Sequence, residues 1–244
     1  MSTVDWYGNV SIVVFFAGCN FLCPYCHNSA LIPLDSGEIV DLEYLRARIL
    51  MNMSPVPELD SVVLTGGEPT LQVDSVIEIC RLAKSLGLKT MLDTNGSLPD
   101  AIESVLKTGL LDRVALDIKA PLKQNAYRHF VGSHIDADMA VTGVRGTLNL
   151  CQEYGVEVEV RTTVVPNLSD SEDFIAEIAK DIAGKCSVYY LQQFDNTGDV
   201  LNAQFKTLRP PAKSELTKLA EVALGEGVNN VYIKTRALGL ERIG

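Results

Sequence analysis

Residues 10–28, VSIVVFFAGCNFLCPYCHN, join an apolar, β-branched run to a loop that holds three of the chain's six cysteines. The run is too short to cross a membrane and is typical of a buried β-strand. In the loop, three residues separate Cys19 from Cys23, and two separate Cys23 from Cys26. This spacing has four possible interpretations: a disulfide, a zinc site, an iron–sulfur cluster or coincidence.

The composition is that of an ordinary globular protein with an excess of acidic residues. The chain has 244 residues, of which 21 are basic and 31 are acidic, so its formal net charge is −10. This balance disfavours sequence-independent binding of nucleic acid, which depends on a basic surface. No basic segment precedes the apolar run, so we expect a cytoplasmic protein that is not inserted in a membrane. In that reducing compartment, clustered cysteines favour metal or redox chemistry over disulfides.

Apolar, β-branched runs alternate with stretches of helical spacing along the whole chain. The predicted strands are residues 10–16, 60–65, 88–92, 112–118, 156–165, 187–192 and 230–234. The predicted helices are residues 41–51, 73–86, 100–108, 137–154, 171–182 and 213–224, with Ser169 as the N-cap of the fifth. Such alternation predicts an α/β fold with a parallel sheet and right-handed crossovers. A barrel or partial barrel fits it better than an open sheet.

Unusual polar segments follow the predicted strands in turn. They are the cysteine loop, GGEP at 66–69, DTNG at 93–96, DIK at 117–119, Arg161 within the fifth strand, and QQFD at 192–195. Because the carboxyl ends of parallel strands share one edge of a sheet or barrel, we expect these segments to collect at one mouth. A charge such as Arg161 inside an alternating apolar strand needs a partner or a wet cavity.

Thiolates are soft ligands, and three of them in a short loop can bind three irons of a four-iron cluster. A zinc site would recruit His27 as a fourth ligand. However, His27 directly follows Cys26, and adjacent residues rarely point at the same metal. Pro24 and its neighbours indicate an irregular loop, which disfavours cysteines that only fill a core. The cluster is therefore favoured over zinc. The other three cysteines, Cys80, Cys151 and Cys186, are interpreted as small buried hydrophobic residues.

At this point the motifs resemble a known family. The three-cysteine spacing, with Tyr25 directly before Cys26, resembles the signature of the radical S-adenosylmethionine (SAM) superfamily. TGGEP at residues 65–69 is similar to the superfamily element that meets the methionine amino group. The resemblance covers nearly the whole chain and implies a partial (β/α)6 TIM-like barrel, with residues 1–244 as a single radical SAM domain.

The resemblance also implies the cofactors and their chemistry. A [4Fe–4S] cluster would use three irons for the three cysteines and leave the fourth open for the methionine moiety of SAM. An electron from the reduced cluster would cleave the sulfonium and give a 5′-deoxyadenosyl radical. No second run of cysteines lies between the loop and residues 66–69, so we expect a single cluster.

A branch of the superfamily, the glycyl-radical-enzyme activating proteins, is closer still. DTNG, DIK and RTTVVP at 161–166 resemble its elements. VDWYG at residues 4–8 and the cysteine loop most resemble the long activators of anaerobic ribonucleoside-triphosphate reductase. The resemblance therefore implies a glycyl radical enzyme as partner, in the first place that reductase. A flavodoxin- or ferredoxin-type protein would be the reductant.

The same resemblance assigns roles to individual residues. It makes Cys19, Cys23, Cys26 and Lys119 catalytic, with the three cysteines as the metal ligands. The cofactor-binding set that it implies is Tyr25, His27, Gly66, Gly67, Glu68, Thr94, Asn95, Asp117, Lys119, Arg161 and Asp195. Asp195 stands where the formate-lyase activator has a histidine, which is a departure from the family pattern.

Other functions remain open at the level of the sequence. A radical SAM enzyme acting on a small molecule, similar to 7-carboxy-7-deazaguanine synthase, would share these motifs. A tRNA-modifying enzyme is a related alternative that the net charge of −10 disfavours. A zinc or iron–sulfur protein without catalytic activity is disfavoured because GGEP, DTNG and DIK occur together.

Overall fold

The computed structural model describes residues 1–53, 58–132, 134–197 and 200–244. Within these residues the strands form an eight-stranded sheet whose strands lie side by side in chain order. The strands are β1 Ser11–Phe16, β2 Ser61–Gly66, β3 Lys89–Thr94, β4 Arg113–Asp117, β5 Glu157–Val164, β6 Val188–Gln193, β7 Val231–Thr235 and β8 Gly239–Arg242. All neighbours pair in parallel except β7 and β8, which pair antiparallel.

Helices connect the parallel strands. They are α1 Leu42–Asn52, α2 Val73–Ser85, α3 Pro99–Leu106, α4 Gln124–Val131, α5 Ala137–Glu153, α6 Glu172–Ile182 and α7 Lys213–Gly225. Each of the first six strands is followed by at least one of these helices before the next strand begins. The predicted α/β class, the parallel sheet and the six β/α units are therefore confirmed.

The sheet curves around an interior that is separate from the helix-covered core. Trp6 from the N-terminal segment is buried there against Val63, Met91 and Ala115, which come from β2, β3 and β4. Because successive residues of a strand face opposite sides, these three positions share the inner face of the sheet. The opposite face packs its apolar side chains against the helices in one large cluster. The lower end of the interior is thus filled, and its upper end remains available for a site.

Some local predictions were wrong or incomplete. Ser169 is not the N-cap of α6; Ser171 is, and its side chain accepts a hydrogen bond from the Phe174 amide. Ser169 is buried instead, where its hydroxyl accepts from the Val165 amide (2.8 Å) and donates to the Thr163 carbonyl (2.9 Å). These bonds fix the turn that leaves β5.

Two elements, α4 and β8, were not predicted from the sequence. Helix α4 reads QNAYRHFV and buries Tyr127, Phe130 and Val131 on one side only, between polar residues. Strand β8 is four residues long and gains its structure from pairing with β7. No helix of the described residues is both long and apolar enough to cross a bilayer.

Candidate active site

A cavity of about 260 Å³ opens at the carboxyl ends of the parallel strands. Its walls come from the cysteine loop and from the ends of β2 to β6. The lining residues are Cys19, Phe21, Cys23, Tyr25, Cys26, His27, Asn28, Ile32, Thr65, Gly66, Gly67, Asp93, Thr94, Asn95, Asp117, Lys119, Thr163 and Gln192. The polar segments that follow the strands therefore collect at one mouth, as the alternation of strands and helices predicts.

Most of the site residues that the resemblance implies lie on this cavity. They are Cys19, Cys23, Cys26, Tyr25, His27, Gly66, Gly67, Thr94, Asn95, Asp117 and Lys119. Glu68, Arg161 and Asp195 do not line it. Each of these three residues lies at a different position outside the cavity lining.

The cysteine loop is held in place by segments from distant parts of the chain. The Leu22 amide donates to the Val131 carbonyl at the end of α4 (3.1 Å), and the Asn202 amide donates to the Pro24 carbonyl (2.9 Å). Asn28 donates from its side chain to the Gly66 carbonyl (3.2 Å). The three thiols are therefore presented by an irregular loop whose backbone is fixed at several points.

Gly66 and Gly67 are required to be glycine because the backbone at the end of β2 lies against the backbone of residues 16–18. A Cβ on Gly67 would lie 2.1 Å from the Gly18 carbonyl oxygen, and one on Gly66 would lie 2.4 Å from the Phe16 backbone. Gly66 also has φ +122°, a conformation that other residues rarely adopt. The Glu68 amide donates to the Gly18 carbonyl across this contact (2.7 Å). The pair thus lets the end of β2 touch the start of the cysteine loop.

Glu68 links two turns of the site from behind. Its carboxylate accepts hydrogen bonds from the Thr70 amide (3.1 Å), the Thr94 hydroxyl (2.8 Å) and the Asn95 amide (2.7 Å). Burial raises the pKa of Glu68, and these hydrogen bonds oppose that rise. Because Glu68 is buried and its oxygens are occupied, it positions the DTNG turn against the GGEP turn.

Lys119 and Asp117 form an ion pair on the cavity wall, with Nζ 2.6 Å from Oδ2. Burial alone would lower the pKa of Lys119, but the charge of Asp117 and the neighbouring Tyr25 and Cys23 raise it well above its usual value. Lys119 is therefore a cation at neutral pH. An ammonium and a carboxylate side by side match the carboxylate and amino groups of an amino acid.

Replacing Lys119 by alanine is expected to weaken SAM binding by about tenfold to a hundredfold, because a charge-assisted hydrogen bond is lost. The iron content should stay unchanged, since Lys119 is not a metal ligand. Equilibrium dialysis of SAM and iron analysis measure the two effects. Lys123→Ala is the matched control, because Lys123 pairs with Glu177 at an exposed position. Equal affinities of the two variants for SAM would remove Lys119 from the cofactor site.

Arg161 lies beneath the cavity in a buried ionic network. Its Nη1 is 3.1 Å from Asp93 Oδ2, its Nε is 2.5 Å from Glu159 Oε1, and its Nη2 donates to the Asp5 carbonyl (3.0 Å). Arg113 also pairs with Glu159 (2.9 Å). The charge that looked unusual in an apolar strand therefore has partners on the inner face of the sheet.

Asp93 connects that network to the cavity. It lines the cavity, and its Oδ1 is buried without a hydrogen-bond partner among the described residues. Burial raises the pKa of Asp93 to about 6, while the Arg161 charge acts in the opposite direction. Arg161 thus contacts the cavity wall through Asp93.

Replacing Arg161 by methionine is expected to lower the free energy of unfolding by about 3–5 kcal/mol, because it leaves Glu159 and Asp93 buried with too little positive charge. Arg209→Met is the control, since Arg209 pairs with Glu215 in solvent and should cost about 0–1 kcal/mol. Guanidinium denaturation measures both. A similar loss in the two variants would contradict a buried network around Arg161.

Asp195 lies outside the cavity lining. It accepts hydrogen bonds from the Thr197 amide (2.9 Å) and hydroxyl (2.7 Å) and lies 3.5 Å from Arg236. Burial acts to raise the pKa of Asp195, but these neighbours lower it overall. The ring that does reach the cavity here belongs to His27, which packs against Phe194 at 5.7 Å.

Several cavity residues lie in segments that the sequence pattern singled out, but no individual role was predicted for them. They include Asn28, Thr163 and Gln192. Thr163 lies two residues beyond Arg161 on the same face of β5 and pairs with Gln192 of β6. The alternation of β5 carries this signal, because residues two apart face the same side.

The donor set of the cavity fits an iron–sulfur cluster better than a single metal ion. No three His, Cys, Asp or Glu side chains of the described residues converge where one ion could sit. A zinc site needs such convergence, whereas a four-iron cluster binds each thiolate to a different iron. Burial raises the pKa of Cys19 to about 11 and of Cys23 to about 12. The free thiols are therefore protonated at neutral pH, and cluster binding would displace their protons.

The chain was compared with known proteins. The model of the radical SAM superfamily matches residues 13–179. A Methanocaldococcus jannaschii protein, named as a candidate glycyl-radical enzyme activating enzyme, is 38% identical over 241 residues, which is 96% of this chain and 93% of that protein. The pyruvate formate-lyase 1-activating enzyme of Escherichia coli K12 is 30% identical over 232 residues, or 92% and 82% of the two chains.

A solved structure shows the same fold. A radical SAM methyltransferase from Sphaerobacter thermophilus superposes with a TM-score of 0.74 at 14% identity, covering 94% of this chain and 67% of that one. The chain therefore belongs to the radical SAM superfamily and, within it, to the family of glycyl-radical enzyme activating enzymes. It is a radical SAM enzyme, whose cofactors are a [4Fe–4S] cluster and SAM.

Proposed function

We propose that this enzyme installs a glycyl radical on a backbone glycine of a partner enzyme. Anaerobic ribonucleoside-triphosphate reductase is the proposed partner, and a flavodoxin- or ferredoxin-type protein is the proposed electron donor. A cluster held by Cys19, Cys23 and Cys26 would supply one electron for cleavage of SAM to methionine and a 5′-deoxyadenosyl radical. That radical would take a hydrogen atom from the glycine Cα and end as 5′-deoxyadenosine.

One observation carries this proposal. A single cavity collects three loop cysteines, the Asp117–Lys119 pair and the DTNG turn in a chain that matches an activating enzyme over nearly its whole length. The choice of ribonucleotide reductase as the partner is supported by residues 4–8 and the cysteine loop, which resemble the activators of that enzyme.

The proposed tasks of this chain's own residues follow from their positions. Cys19, Cys23 and Cys26 would hold the cluster, and Lys119 with Asp117 would orient the amino-acid end of SAM. The remaining predicted cavity residues, which are Tyr25, His27, Gly66, Gly67, Thr94 and Asn95, would enclose the rest of SAM and exclude water. Glu68 and Arg161 would support this wall from behind.

Electron paramagnetic resonance tests the proposal. The reconstituted, reduced enzyme is mixed with SAM and with the anaerobic ribonucleotide reductase of the same organism, and the glycyl doublet is recorded. Pyruvate formate-lyase serves as the alternative partner. A doublet on the reductase that requires SAM supports the proposal. A doublet on formate-lyase alone would replace the partner, and 5′-deoxyadenosine without a protein radical would favour a small-molecule substrate.

A further inference from the structure

Strand β1 has a free backbone edge beside the candidate active site. In the described residues its neighbours are β2 on one side and a single bridge between Ser2 and Ser11 on the other. The Ser11 amide and carbonyl both bond to Ser2, at 2.8 Å each. Because backbone groups point to alternate sides along a strand, those of Val13 and Phe15 face the same side as those of Ser11.

The backbone groups of Val13 and Phe15 have no partner on that side. Among the described residues, no hydrogen bond outside the β1–β2 ladder involves them. A row of free N–H and C=O groups is a template for another strand. Soluble proteins normally block such an edge with charges, proline or a covering element. Here Phe15 remains 56% exposed instead.

A groove of about 320 Å³ runs along this edge; we call it the β1 groove. Three consecutive residues of β1 line the groove, namely Ile12, Val13 and Val14. Because consecutive residues face opposite sides of the sheet, the groove borders the edge of β1 and not only one face of this strand. Its opposite wall comes from the start of α1 and from α2, including Leu42 and Ile79. Arg48 is the basic residue in its lining, against Asp41 and Glu78. The groove can therefore take apolar side chains as well as a strand.

Helix α1 covers the β1 groove only loosely. Ile49 is its buried residue and Leu45 is half-buried against the core, while Leu42, Tyr44, Leu50 and Met51 are more than a third exposed. With the segment before it, α1 presents these exposed side chains: Leu34, Ile39, Val40, Leu42, Tyr44, Leu50 and Met51. So many exposed apolar side chains along α1 and the segment before it are typical of a surface that a partner covers.

The rim of the groove, which we define as residues 33–48, is acidic overall. It contains Asp35, Glu38, Asp41 and Glu43 against Arg46 and Arg48, and Asp41, Glu78 and Arg48 line the groove itself. All four acidic residues are exposed. Two copies of this chain would oppose like charges at this rim, whereas a basic segment would complement it. The rim therefore selects against self-association and for a partner of opposite charge.

Two short stretches of the chain connect the groove to the active-site cavity. Ile32 lines the cavity, and its carbonyl accepts a hydrogen bond from the Cys19 amide (3.0 Å). The chain then runs from Ile32 to Val40, which lines the groove. Phe15 of β1 pairs with Thr65, another cavity residue. A segment bound along β1 would thus end beside the mouth of the site.

We propose that the β1 groove binds an extended, basic and apolar segment of the partner glycyl radical enzyme, which pairs with β1 as an additional strand. This inference rests on the proposed function. Strand addition uses main-chain hydrogen bonds for affinity and side-chain pockets for specificity. It anchors the partner next to the cavity, so that its glycine loop can enter while the rest of the enzyme stays outside.

Phe15→Pro is the main test, because proline removes the outward N–H and leaves the groups that bond to β2. Phe15→Leu is the matched control, since it keeps both the N–H and an apolar side chain. Affinity for the anaerobic ribonucleotide reductase is measured by titration, and formation of 5′-deoxyadenosine by reduced enzyme and SAM without the partner is measured in parallel. The proline variant is expected to bind the reductase at least about tenfold more weakly, with partner-free SAM cleavage unchanged.

A second variant tests the acidic rim without touching a strand. Asp35→Lys combined with Glu38→Lys should weaken the same binding, whereas Glu153→Lys with Glu221→Lys, both exposed and remote, should not. Hydrogen exchange measured by mass spectrometry should show new protection of peptides covering residues 13–15 in the complex. Protection there is the direct signature of an added strand.

The outcomes separate the inference from the function on which it rests. Radical formation on the reductase by the wild-type enzyme, with unchanged affinity in both the Phe15→Pro and the Asp35/Glu38 variants, would overturn the docking site and leave the function standing. Failure of the wild-type enzyme to form a radical on the reductase would overturn both. Dimerisation of the chain alone that Phe15→Pro abolishes would assign the edge to a second copy and overturn the inference.

Discussion

A chain in which alanine replaces Cys23 is expected to contain no competent four-iron cluster and to form more than about a hundredfold less 5′-deoxyadenosine than wild type. Cys23 is buried on the cavity wall between the other two loop thiols in the sequence. Two thiolates cannot replace three, because each one binds a separate iron. The loop itself should stay folded, since backbone hydrogen bonds hold it at Leu22 and Pro24.

Cys186→Ala is the matched control for this result. Cys186 is a free, half-buried cysteine that lies outside the cavity lining. Its removal should leave the iron and sulfide content and the rate of SAM cleavage unchanged. Iron and sulfide analysis, the visible spectrum and chromatography of 5′-deoxyadenosine measure the difference. Normal cleavage by Cys23→Ala would refute its assignment as a cluster ligand.

The second large effect is expected from Gly67→Ala, although Gly67 carries no side chain. The new Cβ would lie 2.1 Å from the Gly18 carbonyl oxygen and 3.1 Å from the Leu31 carbonyl oxygen. Both partners are backbone atoms, so the cysteine loop must move away from the end of β2. Cys19 follows Gly18 directly and would move with it. We expect cluster assembly to fail and the free energy of unfolding to fall by about 1–3 kcal/mol, as in overpacked cores.

Gly225→Ala is the control for this substitution. Gly225 lies in α7, and a Cβ there meets no atom within 4 Å. Alanine in a helix is more stable than glycine by roughly 0.5–1 kcal/mol, so this variant should be unaffected or slightly more stable. Thermal melting and iron analysis of the two variants are compared. Full cluster assembly in Gly67→Ala would show that the close approach of β2 to the loop is not needed.

The parts of the fold that depend on periodicity were predictable from the sequence. Strands β1 to β7 bury apolar side chains in regular patterns, and parallel order follows from their alternation with helices. Helix α4 and strand β8 were not predictable in this way. The few buried residues of α4 are fixed by segments distant in the chain, as the Leu22–Val131 bond shows. Strand β8 has no buried residue and depends on its pairing with the adjacent β7.

Site residues were predictable from the sequence where a motif directly follows a parallel strand and so lies on the cavity wall. The cysteine loop, the glycine pair and the DIK segment lie there because each follows a parallel strand. Glu68, Arg161 and Asp195 belong to the segments GGEP, RTTVVP and QQFD but lie off the wall. Their direction depends on their hydrogen-bond partners. Glu68 accepts from the Asn95 amide, and Arg161 donates to Asp93 of β3, so both are fixed by segments distant in the chain. Asp195 is held within its own turn by Thr197.

The inner face of the sheet shows how such remote pairing supports the site. Arg161 joins Asp93 at the cavity to the Asp5 carbonyl in the N-terminal segment, while Trp6 packs below. Buried charges of this kind are stable only when every partner is present. The N-terminal segment is therefore part of the support of the cavity through Asp5 and Trp6.

The most direct test of the account follows the hydrogen atom. The anaerobic ribonucleotide reductase is prepared with glycine deuterated at Cα and mixed with the reduced enzyme and SAM. The 5′-deoxyadenosine that forms is then analysed by mass spectrometry. We expect the product to carry one deuterium for each glycyl radical formed. Unlabelled 5′-deoxyadenosine at the same yield would contradict this expectation, because the hydrogen would then come from a source other than the partner's glycine.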